Sequence, residues 1–416
     1  MDPAVLSLLA LIVALAVSMT SRINVGWLAI TFAWLVGVYA AGLRPDVVLA
    51  GFPASLFLTL AGVTLLFGIA ETNGTLEGLA TRALTLTRGR VRAVPIVLFV
   101  VACLLSSVGP GAISTVALLV PMGMSIGARA GTLPLLTALM VANGANAGNL
   151  SPFSSVGVIA NGAMAKAGLV GYEGHVWFAN FAAHLLVGAA AFAWLGFRTA
   201  PSPDGTAPRA MASPVSFARP QRVTLAVIAL WIVGVLILNI NLGFSAFAAA
   251  VVLLIFKAAD ESAAVRRIPW SIIMMVCGVS VLIGVLERTG GMDLFTGLMS
   301  RVSSPHTLNG VIAFVTGSIS TYSSTSGVVL PAFLPTAASL VERVGGGDPL
   351  AVALSINVGS SLVDVSPLST IGALCVAAVA DAGARPLFRA LLIWGLSMTV
   401  VGAVMCQVFA TMFARL

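Results

Sequence analysis

Apolar runs of about 17 to 23 residues, separated by short polar segments, fill the chain from end to end. Such runs cross a hydrocarbon core of roughly 30 Å as helices, and they lack the alternation of a barrel strand. The pattern predicts helices over 4–20, 25–42 and 53–72, then an amphipathic stretch over 76–90 lying in the interface. Two apolar pieces, 93–107 and 112–128, are short for a full crossing and are separated by Gly109-Pro110-Gly111, which predicts a re-entrant hairpin. The run 132–170 is too long for one straight helix. It is interrupted by Asn143-Gly144-Ala145-Asn146-Ala147-Gly148-Asn149-Leu150-Ser151-Pro152, so it reads as two half-helices around an unwound midpoint, followed by a helix over 175–197. A stretch rich in Pro, Ser, Ala and Arg over 199–221 reads as a polar cytoplasmic linker. The same order then returns: helices over 223–240, 243–257 and 269–287, a hairpin around 308–342, a broken span over 349–380 and a last helix over 388–411.

The return extends to residues. Gly62-Val63-Thr64-Leu65-Leu66-Phe67-Gly68-Ile69-Ala70-Glu71 recurs as Gly278-Val279-Ser280-Val281-Leu282-Ile283-Gly284-Val285-Leu286-Glu287. Ile23-Asn24-Val25-Gly26 recurs as Ile240-Asn241-Leu242-Gly243, Ser114-Thr115 before Pro121 as Ser324-Thr325 before Pro331, and Ser151-Pro152-Phe153-Ser154-Ser155 as Ser366-Pro367-Leu368-Ser369-Thr370. The chain therefore divides into a first repeat, 1–198, the linker, 199–221, and a second repeat, 222–416. An odd number of crossings per unit makes the second enter the membrane from the opposite side. The fold class expected is all-α integral membrane: an inverted repeat of two five-helix units, each with a re-entrant hairpin and a broken transmembrane helix. An internal repeat in so apolar a chain is the signature of a secondary transporter.

Composition agrees, with 59% hydrophobic and 8% charged residues, far from the roughly 25% charged composition of a soluble domain. The run 3–19 has the length of a signal peptide, but Asp2 stands where positive charge belongs and the run recurs over 223–238, so it reads as a retained helix. The net charge of +7 comes from scattered residues with no basic run, which argues against nucleic acid as a partner. Those residues report topology instead. Arg22, Arg82, Arg88, Arg90, Arg92, Arg129, Arg198, Arg209, Arg219, Arg222, Lys257, Arg266, Arg267, Arg385 and Arg389 fall on one side, against Arg44, Lys166, Arg288, Arg301, Arg343 and Arg415 on the other. By the positive-inside rule the termini face outward, in a multi-pass protein of the cell (inner) membrane. Cys103, Cys277, Cys375 and Cys406 stand alone in apolar stretches and read as buried thiols. No HExxH, P-loop, GxSxG or paired-Cys pattern supports an enzyme.

A helix broken inside a bilayer leaves amides and carbonyls whose burial costs several kcal/mol each if unsatisfied, so breaks persist where they line a cavity or bind something. The candidate ligands for a small anion are Ser114, Thr115, Asn146, Asn149, Ser151, Ser154 and Ser155 in the first half. In the second they are Ser324, Thr325, Ser361, Ser366, Ser369 and Thr370. Oxygen donors suit Na⁺, while half-helix N-termini suit an anion. Asp364, aligned with Asn149, is the one acid in the breaks and a candidate cation ligand or proton carrier. Glu71 and Glu287 read as interfacial anchors, and His184 as a satisfied core histidine.

Phe52-Pro53-Ala54-Ser55-Leu56-Phe57 through Ala70, with Asn73-Gly74-Thr75 and the run from Asn143 to Gly157, resembles the malonate/dicarboxylate carrier family of the MatC type. The two-hairpin plan is distantly similar to the ion transporter superfamily that contains the divalent anion/sodium symporters. The resemblance implies cation-coupled uptake of malonate or a similar small dicarboxylate anion by a homodimer in membrane lipid, with an elevator-like mechanism. No cofactor is implied, but Na⁺ is, as coupling ion, with Gly111, Ser114 and Asn149 in the first half and Ser323, Ser324 and Asp364 in the second as its ligands. The sodium symporters carry Ser-Asn-Thr at each hairpin tip; here Gly111-Ala112-Ile113 and Thr321-Tyr322-Ser323 stand there. That departure leaves proton coupling through Asp364 open, and a cation/proton antiporter of the same superfamily is the competing reading.

Overall fold

Helices start and stop at the polar punctuation of the chain. The computed structural model describes residues 2–20, 23–84, 93–129, 131–196, 216–238, 240–321, 324–379 and 381–415, and every regular element among them is helical. The first half runs α1 (Pro3–Thr20), α2 (Val25–Trp34, continued by a π turn over Leu35–Ala40), α3 (Pro45–Leu49), α4 (Ala54–Thr72) and α5 (Thr75–Leu84). The hairpin follows as α6 (Val94–Val108) and α7 (Gly111–Arg129), the broken span as α8 (Pro134–Gly148) and α9 (Ser155–Lys166), and then comes α10 (Glu173–Leu195). The second half repeats the order with α11 (Arg219–Leu238), α12 (Leu242–Ile255), α13 (Glu261–Arg267), α14 (Trp270–Thr289) and α15 (Gly291–Val302). Its hairpin is α16 (Leu308–Ser320) with a return arm built from a π turn (Thr325–Val329), α17 (Leu330–Phe333), a 3-10 turn (Leu334–Thr336) and α18 (Ala337–Val344). Its broken span is α19 (Pro349–Leu362) and α20 (Thr370–Ala377), and α21 (Asp381–Ala414) ends the fold.

Some boundaries differ from the hydrophobic pattern. The segment α11 begins at Arg219, inside the stretch read as linker, because Pro220 in the first turn gives up an amide that has no helical partner there. Most of that linker, 199–215, lies outside the described residues, as do 85–92 of the amphipathic stretch. The short helices α3, α13 and α15 escaped the pattern because each is amphipathic or too brief to leave an apolar run; α15 is the counterpart of α5. Helix α21 starts at Asp381 rather than 388 and carries Pro386 within it, near its start, where the missing amide costs one hydrogen bond. Among the described residues, seven helices are long and apolar enough to cross a membrane. Two of them, Gly111–Ala128 and Thr325–Val344, are hairpin return arms, so helix length does not count crossings one for one.

The halves are interwoven rather than set side by side. Asn24 caps α2 by accepting from the Gly26 amide at 2.8 Å, and Asn241 caps α12 by accepting from the Gly243 amide at 3.1 Å. Each cap brings its glycine against a helix of the other half. A Cβ on Gly26 would stand 2.2 Å from the Met274 carbonyl oxygen, and one on Gly278 would stand 2.3 Å from the Gly26 carbonyl oxygen. The equivalent pair repeats this: a Cβ on Gly62 would lie 2.6 Å from the Gly243 carbonyl oxygen, and one on Gly243 would lie 2.7 Å from Thr59 Cα. Thus α2 packs on α14 and α12 on α4, backbone against backbone, as small residues permit in membrane helices. Against this crossed frame the hairpins and broken spans form a second body, in which α6 and α7 pack on α8, and α16 and α21 pack on α19. The two bodies meet where α4 touches α9 and α14 touches the return arm of the second hairpin. Large apolar side chains such as Leu230, Ile255, Ile393 and Val404 face outward, as lipid contact requires.

Gly26→Val or Gly278→Val is expected to cost about 3 kcal/mol or more by forcing the crossed helices apart. Gly174→Ala, at a position with nothing within 4 Å, leaves stability unchanged. Thermal unfolding of the purified full chain, followed by size-exclusion fluorescence, checks both.

Candidate functional site

Each broken span unwinds at a Ser-Pro turn. Pro152 and Pro367 cannot continue a helix, so the chain closes on short local bonds: the Ser151 amide to the Gly148 carbonyl at 3.0 Å, and the Ser366 amide to the Val363 carbonyl at 2.9 Å. Ser151 and Ser366 accept from the amides of Phe153 and Leu368, both at 3.3 Å, and thereby brace their turns. The following half-helices α9 and α20 open at Ser154 and Ser369, neither of which caps its own helix with its side chain. The Ser155 amide at the start of α9 is taken up by the Gly109 carbonyl at 3.3 Å, and no side-chain cap from Ser154 or Ser369 closes the other first-turn amides of the two helices.

Asn149 and Asp364 reach from the breaks to the hairpins. The Ala112 amide, one residue past Gly111 at φ +75°, donates to Asn149 Oδ1 at 2.9 Å. In the second half the Thr325 hydroxyl donates to Asp364 Oδ1 at 2.6 Å; it also lies 3.3 Å from the Ser360 carbonyl and is hydrogen-bonded to the Ser320 hydroxyl. Ser324 accepts from the Gly327 amide at 3.0 Å and so starts the return arm. One arrangement uses a backbone amide and the other a hydroxyl, yet both place the break residue at the root of the returning helix.

The two constellations share a cavity of about 200 Å³. Asn149, Ser324, Thr325, Ser326, Asp364, Ser369 and Thr370 supply its polar lining, and Ile113, Val156, Leu368 and Ile371 its apolar walls. A smaller chamber of about 50 Å³ adjoins it, with Gly111, Ser114 and Ser155 among its lining, against α4 and the start of α14. Among the described residues no Lys or Arg lines either space, and Asp364 is the one formally charged group that does. Among the described residues no cluster of three His, Cys, Asp or Glu side chains could hold a metal ion.

Of the residues singled out in the sequence, Asn149, Ser324, Thr325, Asp364, Ser369 and Thr370 meet in the main cavity, and Gly111, Ser114 and Ser155 in the adjoining one. Thr115, Asn146, Ser151, Ser154, Ser361 and Ser366 line neither. Ser151 and Ser366 hold the turns. Thr115 Oγ1, Ser154 Oγ and both side-chain ends of Asn146 are buried without a protein partner among the described residues. Ser323 lies outside the described residues. Ser326 was missed although it lines both spaces; the run Ser324-Thr325-Ser326 at the head of the return arm was its visible signal.

Behind the cavity a buried polar network ties the two broken spans together through α10. His184 Nδ1 is 3.0 Å from Asn143 Oδ1 on α8, and Nε2 is 3.2 Å from Ser361 Oγ on α19. Asn143 spends its amide on the Leu139 carbonyl at 2.9 Å, so its oxygen faces the ring and makes Nδ1 the donor. Asn180, one turn earlier, donates to the Asn146 carbonyl and accepts from the Ser361 hydroxyl, both at 2.6 Å. The histidine is a core residue, and the core it joins is the pair of broken spans.

Residues 1–149 match the model of a family described as the dicarboxylate carrier protein MatC N-terminus. The match ends on Asn149, at the first break, and agrees with the resemblance carried by the glycine-rich motifs. No curated protein matches the chain. Among solved structures, the YdaH transporter of Alcanivorax borkumensis, described as having an unusual topology, superposes with a TM-score of 0.57 at 14% identity. The superposition covers 88% of this chain and 87% of that one. At that identity the likeness speaks for the fold alone.

His184→Phe keeps ring volume but strands Asn143 Oδ1, at a cost of about 1 to 3 kcal/mol. His184→Gln, which restores one donor and one acceptor, is expected to recover part of that loss. Chemical unfolding of the full chain measures the difference.

Proposed function

We propose that this protein is a secondary active transporter that carries malonate or a similar small dicarboxylate together with Na⁺ or H⁺. The observation that supports it most is the charge pattern of the cavity. Hydroxyls, an amide side chain and half-helix N-termini converge there, with Asp364 and, among the described residues, no Arg or Lys. A dicarboxylate brought within about 5 Å of an ionised Asp364 meets roughly 3 kcal/mol of repulsion per charge pair at an effective dielectric near 20. A proton on Asp364, or a cation held beside it, removes that penalty. Anion binding and cation binding are then one event, which is what symport requires. For Na⁺, the donors nearest to hand are Asp364 and the Ser324 and Thr325 hydroxyls, with Asn149, Ser114 and the Gly111 backbone on the other side. The unpartnered oxygens of Thr115, Ser154 and Asn146 add hard donors close behind the first hairpin.

The crossed frame of α2, α4, α12 and α14 serves as the fixed scaffold, and the hairpins and broken spans move as one body, elevator-like, past α4 and α14. His184 and Asn180 keep that body rigid. Homodimerisation through the frame fits the same reading, as does an inverted relation of the two repeats. The alternative, a cation/proton antiporter, is favoured only by Asp364, and a single acid in the cavity serves it poorly.

Purified protein in proteoliposomes, with Na⁺ and proton gradients imposed separately, is expected to accumulate labelled malonate under one of them. Accumulation under neither gradient would sink the reading. Asp364→Asn should abolish gradient-driven accumulation while leaving exchange measurable, and Thr325→Val should weaken uptake about tenfold through loss of a charge-assisted hydrogen bond. Wild-type accumulation and unchanged ion dependence in Asp364→Asn would remove Asp364 from coupling.

A further inference from the structure

Ile113, Val156 and Ser326 line both the main cavity and the smaller chamber, so these three side chains are the partition between them. On either side of the partition are groups able to receive a carboxylate. The main cavity offers the Ser324 and Thr370 hydroxyls, and the small chamber offers Ser114 and Ser155 beside Gly111. The chamber beyond is about 50 Å³, too small to take a dicarboxylate by itself but roomy enough for one end of a longer one. Val156 is buried, in the first turn of α9, where its neighbours are held by the Ser151-Pro152 turn and by the Ser155 amide bond to the Gly109 carbonyl at 3.3 Å. Ile113 stands in the first turn of α7, fixed by the Ala112 bond to Asn149. The two apolar partition residues are therefore placed by the same bonds that build the site. The far wall carries Ile371, the repeat equivalent of Val156, which has one carbon more and fronts no second chamber among the described cavities.

We propose that the Ile113–Val156 partition sets the chain length of the dicarboxylate this protein accepts. This rests on the reading of the cavity as a dicarboxylate site. An intact partition confines the anion to the main cavity and favours three- and four-carbon acids. Trimming it joins the two spaces and lets the second carboxylate of a longer acid reach the Ser114 and Ser155 hydroxyls. The specificity arises by exclusion: an apolar branch occupies the path that extra methylenes would take, and a hydrophobic contact of that size discriminates by roughly tenfold or more per methylene.

The test measures binding of malonate, succinate and glutarate to the purified full chain by calorimetry, with and without Na⁺ at several pH values. Val156→Ala is expected to raise glutarate affinity relative to malonate by about tenfold or more. Val156→Ile should move the ratio the other way, a reversal that general loosening of the fold would not produce. Ile113→Ala approaches the partition from the other side and should match Val156→Ala, so poor folding of one variant leaves the other decisive. If wild-type protein binds malonate but both alanine variants keep the wild-type ratios, the partition has no role in selectivity and the proposal is overturned. If the wild-type chain binds none of the three acids under any condition, the dicarboxylate reading itself fails and takes this one with it.

Discussion

In a hydrocarbon core every backbone amide and carbonyl needs a partner inside the protein, and where the broken spans and the first hairpin depart from continuous helix that need is met by individual side chains and short turns. At the two Ser-Pro turns the freed groups are taken up by 3-10 closures and by serine hydroxyls. Asn180 takes the Asn146 carbonyl just before the first turn, and Asn149 takes an amide at the first hairpin tip. The Ser155 amide goes to the Gly109 carbonyl, and Val156 of α9 and Thr370 and Ile371 of α20, from the first turns of the two half-helices, line the cavity beside the hydroxyls. The polar lining of the cavity is thus a consequence of where the backbone is broken and how its groups are satisfied.

The same constraint explains why the halves are interwoven. A broken helix is weak along its axis, so the pieces depend on lateral support. The glycine contacts between α2 and α14, and between α4 and α12, give a frame whose helices touch backbone to backbone across the repeats. Support for the breaks themselves comes from within the second body. There, a single histidine on α10 meets Asn143 of one span and Ser361 of the other, so the two unwound regions are held in fixed relation although they lie more than 200 residues apart in the chain.

Repetition did not make the two halves chemically equal. Asn149 and Asp364 occupy equivalent positions and make equivalent reaches, but only the second can carry charge. The hydroxyls around Asp364 satisfy one another, with Ser320, Thr325 and the Ser360 carbonyl in one cluster. In the first half, Thr115 and Asn146 find no such partners among the described residues. The duplicated framework therefore carries one ionisable member, Asp364, and one neutral member, Asn149, beside the same cavity.

Much of this was legible in the order of apolar runs and in the recurrence of Gly62 at Gly278 and Ser151-Pro152 at Ser366-Pro367, because lipid imposes helix length and proline imposes the breaks wherever the chain folds. The concentration of Ser, Thr, Asn and one Asp at those breaks likewise marked Asn149, Asp364 and Thr325, since polar groups in apolar spans need a reason to be there. Sequence periodicity could not say which hydroxyls face the cavity. Ser151 and Thr370 both stand beside the breaks in the chain, yet Ser151 braces its own turn and lines neither space while Thr370 lines the cavity, a choice made by local hydrogen bonds and by packing. Nor could it place His184 between Asn143 and Ser361, or set Val156 and Ile113 together as a wall. Those pairings join residues tens to hundreds of positions apart, and only packing in three dimensions decides which distant side chains complete one another's hydrogen bonds and which apolar ones divide a space.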